Sequence, residues 1–554
     1  MAWSEAWKAR LSDDQMAPII LVDVGLLSWA APEFAPTTIG GDTFSSQPHV
    51  DGIEPGHLNG SHLVSDLRTN GQSVRLRDWT VNTGGFSFAL TSTKPGTAAL
   101  PFRPTRGLHV QVRMTFDGFV TGGGVEVIQR GMIDQITHDG DTWWVQCRSM
   151  LDVLRTRYIN TDGGDNDQFF ERVGRTTTLR STWHSNSGND LPVTASIDFE
   201  KDARTGAVGV ALVAGSSPAR DPWWFVWSGK TGGGTPTLTA SGSADWFGNT
   251  TVKGYPAGTV VTYYAVAAGK PWNLFGRFVR STGAESSAGF DTLPRRWGGG
   301  LTLSMINTGD ITSHTSHPAL FDRATGSAIS PKWTPFILAP IDNLLEWLQQ
   351  GLGQFNMWPV QLEDQVSVRM AYDYLYFDPV IVDTIDDDWI VSIDGHDLYH
   401  PDADVEYKRV GGSYNADEDL YSLAGNDPIS RPWLDRYEKT ISAHGLTVDG
   451  TDNQPSNLSA WEAGTSEVLA DSRTLTTAAH TWYTRLPEYL KLTCRTLRYA
   501  PLVPGDLVSI TSRHIIGRQG LYVDRICMVT GVTPDWIRGS VVLEFAILPG
   551  AKTG

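Results

Sequence analysis

Gly229-Lys230-Thr231 ends as a phosphate-binding loop ends, with a lysine for phosphate oxygens and a hydroxyl for magnesium. That chemistry also needs a glycine where this chain has Trp224, and an apolar helix where it has Gly232, Gly233, Gly234 and Pro236, so nucleotide binding is not expected. His314 and His317, near Asp310, offer imidazoles to a metal, but their spacing and Ser/Thr-rich setting read as a surface loop rather than a zinc helix. The run from Asp383 to Asp404 is rich in carboxylates that can hold calcium or form a solvated acidic edge; it lacks the residue order and closing glutamate of a dedicated calcium loop. Glu363-Asp364 beside Trp-rich segments supplies the residue types of a glycosidase, but sequence does not place two carboxyls across a cleft. No nucleophile elbow and no zinc-protease helix motif occurs, so no catalytic residue, cofactor or metal ligand is expected. Trp223, Trp224, Trp227 and Trp246 can stack on sugar rings, dock a partner protein, or fill a small β-core.

Bulk properties narrow the classes. The chain has 554 residues, 40% of them hydrophobic, with 57 Gly, 30 Pro and 21 Trp, a mixture for several domains of short strands and tight turns. The formal charge of -17 disfavours binding to DNA or anionic lipid, and suits either simple solubility or a conduit that DNA crosses without sticking. Cys147, Cys494 and Cys527 are scattered, indicating neither a zinc ribbon nor a disulfide framework. The charged N-terminus does not read as a signal peptide, and no run of eighteen apolar residues occurs, so synthesis in the cytosol without membrane insertion is expected.

The elements that would position these residues are mostly strands. Val110, Val112, Met114 and Phe116 alternate with Gln111, Arg113 and Thr115, and two further strands flank Asp139-Gly140. A pair bent at Gly84-Gly85 joins them in one expected barrel or sandwich over 19–159, after an N-terminal arm, 1–18. A Gly/Ser/Trp-rich stretch, 160–330, reads as an inserted β-domain that decorates the outside and is removable without loss of assembly. The pattern then changes. In 331–420, Ile341, Leu344, Leu345, Leu348 and Leu352 share a helix face near 341–352, followed by strands. A connector, 421–465, leads to 466–554, where a second helix is expected over 466–486 and a three-strand meander closes the chain, with Val541, Leu543, Phe545 and Ile547 alternating. Pro504-Gly505-Asp506 reads as a structural corner before that meander.

The helix "DNLLEWLQQGLGQF", the later "ADVEYKRVGGSYN" and the closing "PLVPGDLVSIT" through "GSVVLEFAI" resemble the baseplate-hub or tail-tip proteins of tailed bacteriophages and gene transfer agents. The N-terminal "VRLRDWTVNTGGFSFAL" and "RGLHVQVRMTFDG" are similar to the first barrel of such hubs. The resemblance implies a mainly β (α+β) fold: two tail-tube-like β-barrel domains with short packing helices, plus the inserted β-rich domain. It also implies a homotrimeric, pseudo-sixfold ring at the virion's tail tip, made in the host bacterial cytoplasm. Such a ring joins the tail tube or a distal-tail protein to fibre or receptor-binding proteins, and lines the exit channel for the tape-measure protein and DNA without binding DNA specifically. Some similar tail-tip proteins hold an iron–sulfur cluster on clustered cysteines, a pattern absent here. A hexameric distal-tail ring and a carbohydrate-binding or cell-wall-degrading, glycosidase-like tail protein are the competing expectations.

Overall fold

In the computed structural model, Val110, Val112 and Met114 are all buried, as their alternation requires. The structure describes residues within 7–44, 62–92, 107–116, 126–155, 176–195, 209–213, 223–240, 252–266, 271–280, 299–309, 320–322, 327–329, 336–337, 343–371, 380–400, 405–409, 414–415, 420–421, 437–441 and 487–548, together with 100, and with gaps inside several of these ranges. The fold is mainly β, and among the described residues no helix is long and apolar enough to cross a membrane.

The amino-terminal sheet has seven strands in the order Leu27–Ala31, Pro18–Val24, His109–Phe116, Glu126–Asp139, Thr142–Ser149, Gly85–Ser92, His62–Asn70. All its pairings are antiparallel. The expected three-strand meander is present, its last hairpin turning at Gly140 with φ 60°. The two outer strands lie beside each other, so the sheet curls into a barrel. The N-terminal arm contributes to its core, where Trp7 and Leu11 are fully buried.

A second barrel closes the chain. Its order is Ile381–Asp386, Leu507–Gly517, Gly520–Asp535, Ser540–Ile547, Glu488–Cys494, Ile390–Asp397. The first pairing is parallel and the rest antiparallel, and the expected carboxy-terminal meander is its centre. Val541, Leu543, Phe545 and Ile547 are all buried in a hydrophobic core that the two barrels share. One strand assignment from the sequence is corrected here. Gln72–Arg75 and Thr80–Asn82 do not join the first barrel; they form a hairpin on Gly520–Asp535 of the second. Gly84 and Gly85, at φ 73° and 135°, take the chain from that hairpin back to the first barrel through backbone conformations that side-chain-bearing residues rarely adopt.

Between the barrels in sequence comes a third sheet, ordered Thr176–Thr178, Val260–Val266, Gly209–Val213, Trp223–Thr231, Thr237–Ala240, Leu191–Pro192. Its core is continuous with helix Pro271–Val279, helix Leu344–Gly353, the hairpin Met357–Leu362/Gln365–Met370, and Leu151 and Leu154 after the first barrel. The helix expected near 341–352 is present as Leu344–Gly353, with Leu344, Leu345, Leu348 and Leu352 buried, while Ile341 lies outside the described residues. Asn343 caps it: its Oδ1 accepts from Glu346 N–H at 3.2 Å, and Glu346 Oε2 accepts from Asn343 Nδ2 at 3.3 Å. The expected helix over 466–486 lies outside the described residues.

Gln361 ties these parts together. Its backbone N–H donates to Gln72 Oε1 (2.9 Å) and its backbone oxygen accepts from Gln72 Nε2 (2.8 Å). Its side chain donates to Arg130 O (3.0 Å) and accepts from Met150 N–H (2.8 Å) in the first barrel. Gln361→Leu leaves that carbonyl and that N–H without this partner, so an unfolding titration should show about 2–4 kcal/mol of lost stability. A midpoint unchanged from the parent protein contradicts the assignment.

Candidate assembly interface

A strand of a sheet curled around a core points alternate residues inward and outward, and the outward set is ordinarily polar. The carboxy-terminal barrel departs from that rule. Ile385, Ile510, Ile515 and Tyr522 are buried inside, yet Val380 (72% exposed), Val382, Val391, Ile393, Ile516 (65%), Leu521 and Val523 face out. Of the twelve large apolar side chains that remain exposed among the described residues, ten fall between Val380 and Ile537 and none in the amino-terminal barrel. A concentration of this kind makes the carboxy-terminal barrel the candidate contact surface. Edge strands add to it, since Ile381–Asp386 and Ile390–Asp397 each have a single hydrogen-bonded neighbour among the described strands.

The acidic stretch runs along these edge strands, and Asp383, Asp387 and Asp394 have partners within the chain. Asp383 accepts from Arg498 Nε and Nη2 at 3.0 and 2.5 Å. Asp387 takes the Ser512 hydroxyl at 2.5 Å and the Arg513 N–H and Nε at 3.0 and 3.1 Å. The Ser512 bond, with those from Arg513, holds the Asp387 carboxyl below the usual carboxylate range. Asp394 is held low in the same way, chiefly by Thr493 and then by Ser392. Among the described residues no group of three or more His, Cys, Asp or Glu is arranged to hold a metal ion. The partners visible here are hydroxyls, N–H groups and guanidinium, the pattern of an acidic edge that is structurally tied down.

One end of the barrel is closed by a polar network. Glu488 is fully buried, accepting from Tyr522 Oη (2.9 Å) and Arg518 N–H (3.1 Å), with Arg518 Nε at 3.5 Å and His396 Nε2 at 3.9 Å. The network joins the hairpin end at Arg518 to the edge strand bearing His396. The three cysteines are buried, and burial pushes their thiols up, Cys494 to about 12, which is the wrong direction for a nucleophile.

His400, next to this network's strands, is buried against Tyr489, with ring centroids 5.2 Å apart. Burial lowers its pKa from 6.5 to about 4, against a smaller opposing pull from Glu544 and Asp397. The unfolded chain therefore binds the extra proton first as pH falls. His400 contributes full stability above about pH 6.5 and loses it progressively down to about pH 4, a loss of about 2–3 kcal/mol. His400→Phe should flatten the stability profile in that window, measured by denaturant midpoints at stepped pH; an unchanged slope contradicts it.

The residues singled out from the sequence fall elsewhere. Trp223 and Trp227 are 2% and 1% exposed, packed in the core of the middle sheet, so their faces are not available to a glycan or a partner. Trp223 meets Trp183 edge-on at 6.3 Å. Trp224 lies on the same strand, and its side chain is outside the described residues, as is all of Trp246. Gly229, Lys230 and Thr231 end the strand Trp223–Thr231, paired with Thr239, Leu238 and Thr237, a ladder rather than a phosphate cradle. Asp310, His314, His317, Glu363 and Asp364 lie outside the described residues. The exposed aliphatic row was not singled out, although a signal exists: in "VIVDTI" and "WIVSI" both alternating sets carry apolar residues, where a one-sided strand needs them in one set.

No model of a known protein family matches the chain, and no curated protein matches it. Among solved structures, it is similar to the 43 kDa tail protein of prophage MuSo2 from Shewanella oneidensis, at 8% identity over 96% of this chain and 99% of that one, with a TM-score of 0.37. A tail protein from Neisseria meningitidis aligns at 10% identity over 97% and 98% of the two chains, with a TM-score of 0.34. A chain of the native gene transfer agent virion aligns at 13% identity over 47% and 84%, with a TM-score of 0.20. Scores of this size do not establish a shared fold, and the functional reading rests on the chain's own residues.

Proposed function

We propose that the chain is a structural component of a bacteriophage or gene-transfer-agent tail tip, a hub ring of three copies that each contribute two barrels. In this reading the ring joins the tail tube or a distal-tail protein to fibre or receptor-binding proteins, and DNA and the tape-measure protein pass through its centre. The observation that carries it is the exposed apolar face of the second barrel, which a ring of copies covers and a lone molecule leaves in water. The motifs at both ends of the chain, which resemble hub proteins, agree with it, as does the net charge of -17, which lets a lumen pass DNA without holding it. Negative-stain images of the purified protein test the proposal. Rings with a central hole support it; solitary solid particles at every concentration overturn it.

A further inference from the structure

The hairpin formed by Leu507–Gly517 and Gly520–Asp535 changes character along its length. Its stem is a regular ladder, with Leu507, Val508, Ser509 and Ile510 opposite Met528, Cys527, Ile526 and Arg525. Beyond Ile510 the register breaks twice. Thr511 alone spans the place of Val523 and Asp524 before Ser512 meets Tyr522, and Arg513, His514 and Ile515 have no residue opposite them before Ile516 meets Leu521. Asp524, at the first break, has φ 47°, a left-handed conformation uncommon for a residue with a side chain. Its N–H donates to Thr511 Oγ1 at 2.9 Å and its Oδ1 accepts from the Thr511 hydroxyl at 3.0 Å. The other limb is pinned at the same level, where Asp387 holds Ser512 and Arg513.

The far end of the hairpin is fastened separately. Glu488, on another strand, accepts from Arg518 N–H and from Tyr522 Oη, and the Arg518 guanidinium lies over the Tyr399 ring at 5.1 Å. Gly517 makes the room for this contact: a Cβ there would collide with the Glu488 carboxylate and come within 2.6 Å of Tyr522 Cε1. Between the two fastenings Ile515 and Tyr522 are buried, while Ile516, Leu521 and Val523 face solvent.

We propose that residues 514–523 form a flap, hinged at Arg513 and Asp524 and latched shut by Glu488, that opens as a unit while the stem stays paired. The ladder that would couple flap to stem is interrupted on both strands, so the two can open separately. Closed, the flap covers one end of the barrel with Ile515 and Tyr522. Open, it carries Ile516, Leu521 and Val523 away from the barrel. The candidate contact surface therefore has a movable part here and a part at Val382, Val391 and Ile393 that rides on paired strands.

Amide hydrogen exchange of the full-length protein, read by mass spectrometry at stepped denaturant below the unfolding transition, tests this. Amides of 514–523 should exchange through an opening at least about tenfold more frequent than the one that exposes 507–510 and 525–529. Glu488→Gln and Gly517→Ala weaken the latch from its two sides, and each should raise exchange of the flap about tenfold further, with the stem unchanged. Trypsin should cut after Arg518 correspondingly faster in both variants. A flap and stem that exchange through one common opening in the parent protein overturn the inference whatever the variants do. Folded latch variants whose flap exchanges at the parent's rate overturn it as well.

Discussion

Trp358→Ala is expected to cost about 3–5 kcal/mol, read as a large fall in the denaturant midpoint. Trp358 is fully buried and stacks on Trp79 with centroids 5.1 Å apart and planes 6° from parallel. Its Nε1 donates to Pro504 O at 3.1 Å, which fastens the corner before the closing meander. That corner is tightly determined. Gly505 has φ 108°, and a Cβ there would meet Arg369 Cβ at 2.8 Å and Trp358 Cζ2 at 3.0 Å. Gly505 N–H donates to Val529 O and Val529 N–H to Asp506 O, each at 2.8 Å, while the Asp506 carboxylate accepts from Val503 N–H at 3.0 Å and Arg369 Nε at 3.3 Å. Truncating the indole opens a cavity in the cluster of Val74, Trp79, Val360, Leu507 and Met528, and leaves the corner without its brace. Trp358→Phe, which keeps a ring but loses the donor, should recover part of the loss. A Trp358→Ala protein as stable as its parent contradicts this packing.

Removal of residues 162–328 should yield no soluble, cooperatively folded protein. The sequence alone presents this stretch as a dispensable decoration, but its sheet shares one continuous core with Leu151, Leu154, Leu344, Leu345, Leu348 and Leu352 on either side. Uncovering such side chains costs about 1.5–3 kcal/mol each. Six of them together meet or exceed the whole net stability of about 5–15 kcal/mol typical of a domain. Expression in the pellet, or a soluble product that binds a hydrophobic dye and unfolds without a sharp transition, is the expected outcome. A soluble deletion protein with a single sharp transition shows instead that the surrounding parts hold themselves together.

Local structure was largely legible in the residues. The alternation of Val110, Val112 and Met114, the turn at Asp139-Gly140, the stripe Leu344 to Leu352 and the closing meander all appear where their periods place them. Tertiary allegiance was not legible. The hairpin Gln72–Asn82 and the strand Gly85–Ser92 are adjacent in sequence, and nothing in their periodicity says that two glycines send them to different barrels. The same limit applies to the candidate site. Indoles attract attention as contact residues, but Trp223 and Trp227 are large enough to be needed inside, and the exposed apolar surface is built from valines, isoleucines and a leucine whose outward direction depends on strand register.

The central claim is that the outer face of the second barrel is covered by other copies of the chain. Mass measurement of the purified protein over a dilution series tests it most directly. The account predicts a trimer that dissociates toward monomer on dilution. A single monomeric mass from micromolar to the highest soluble concentration would contradict it.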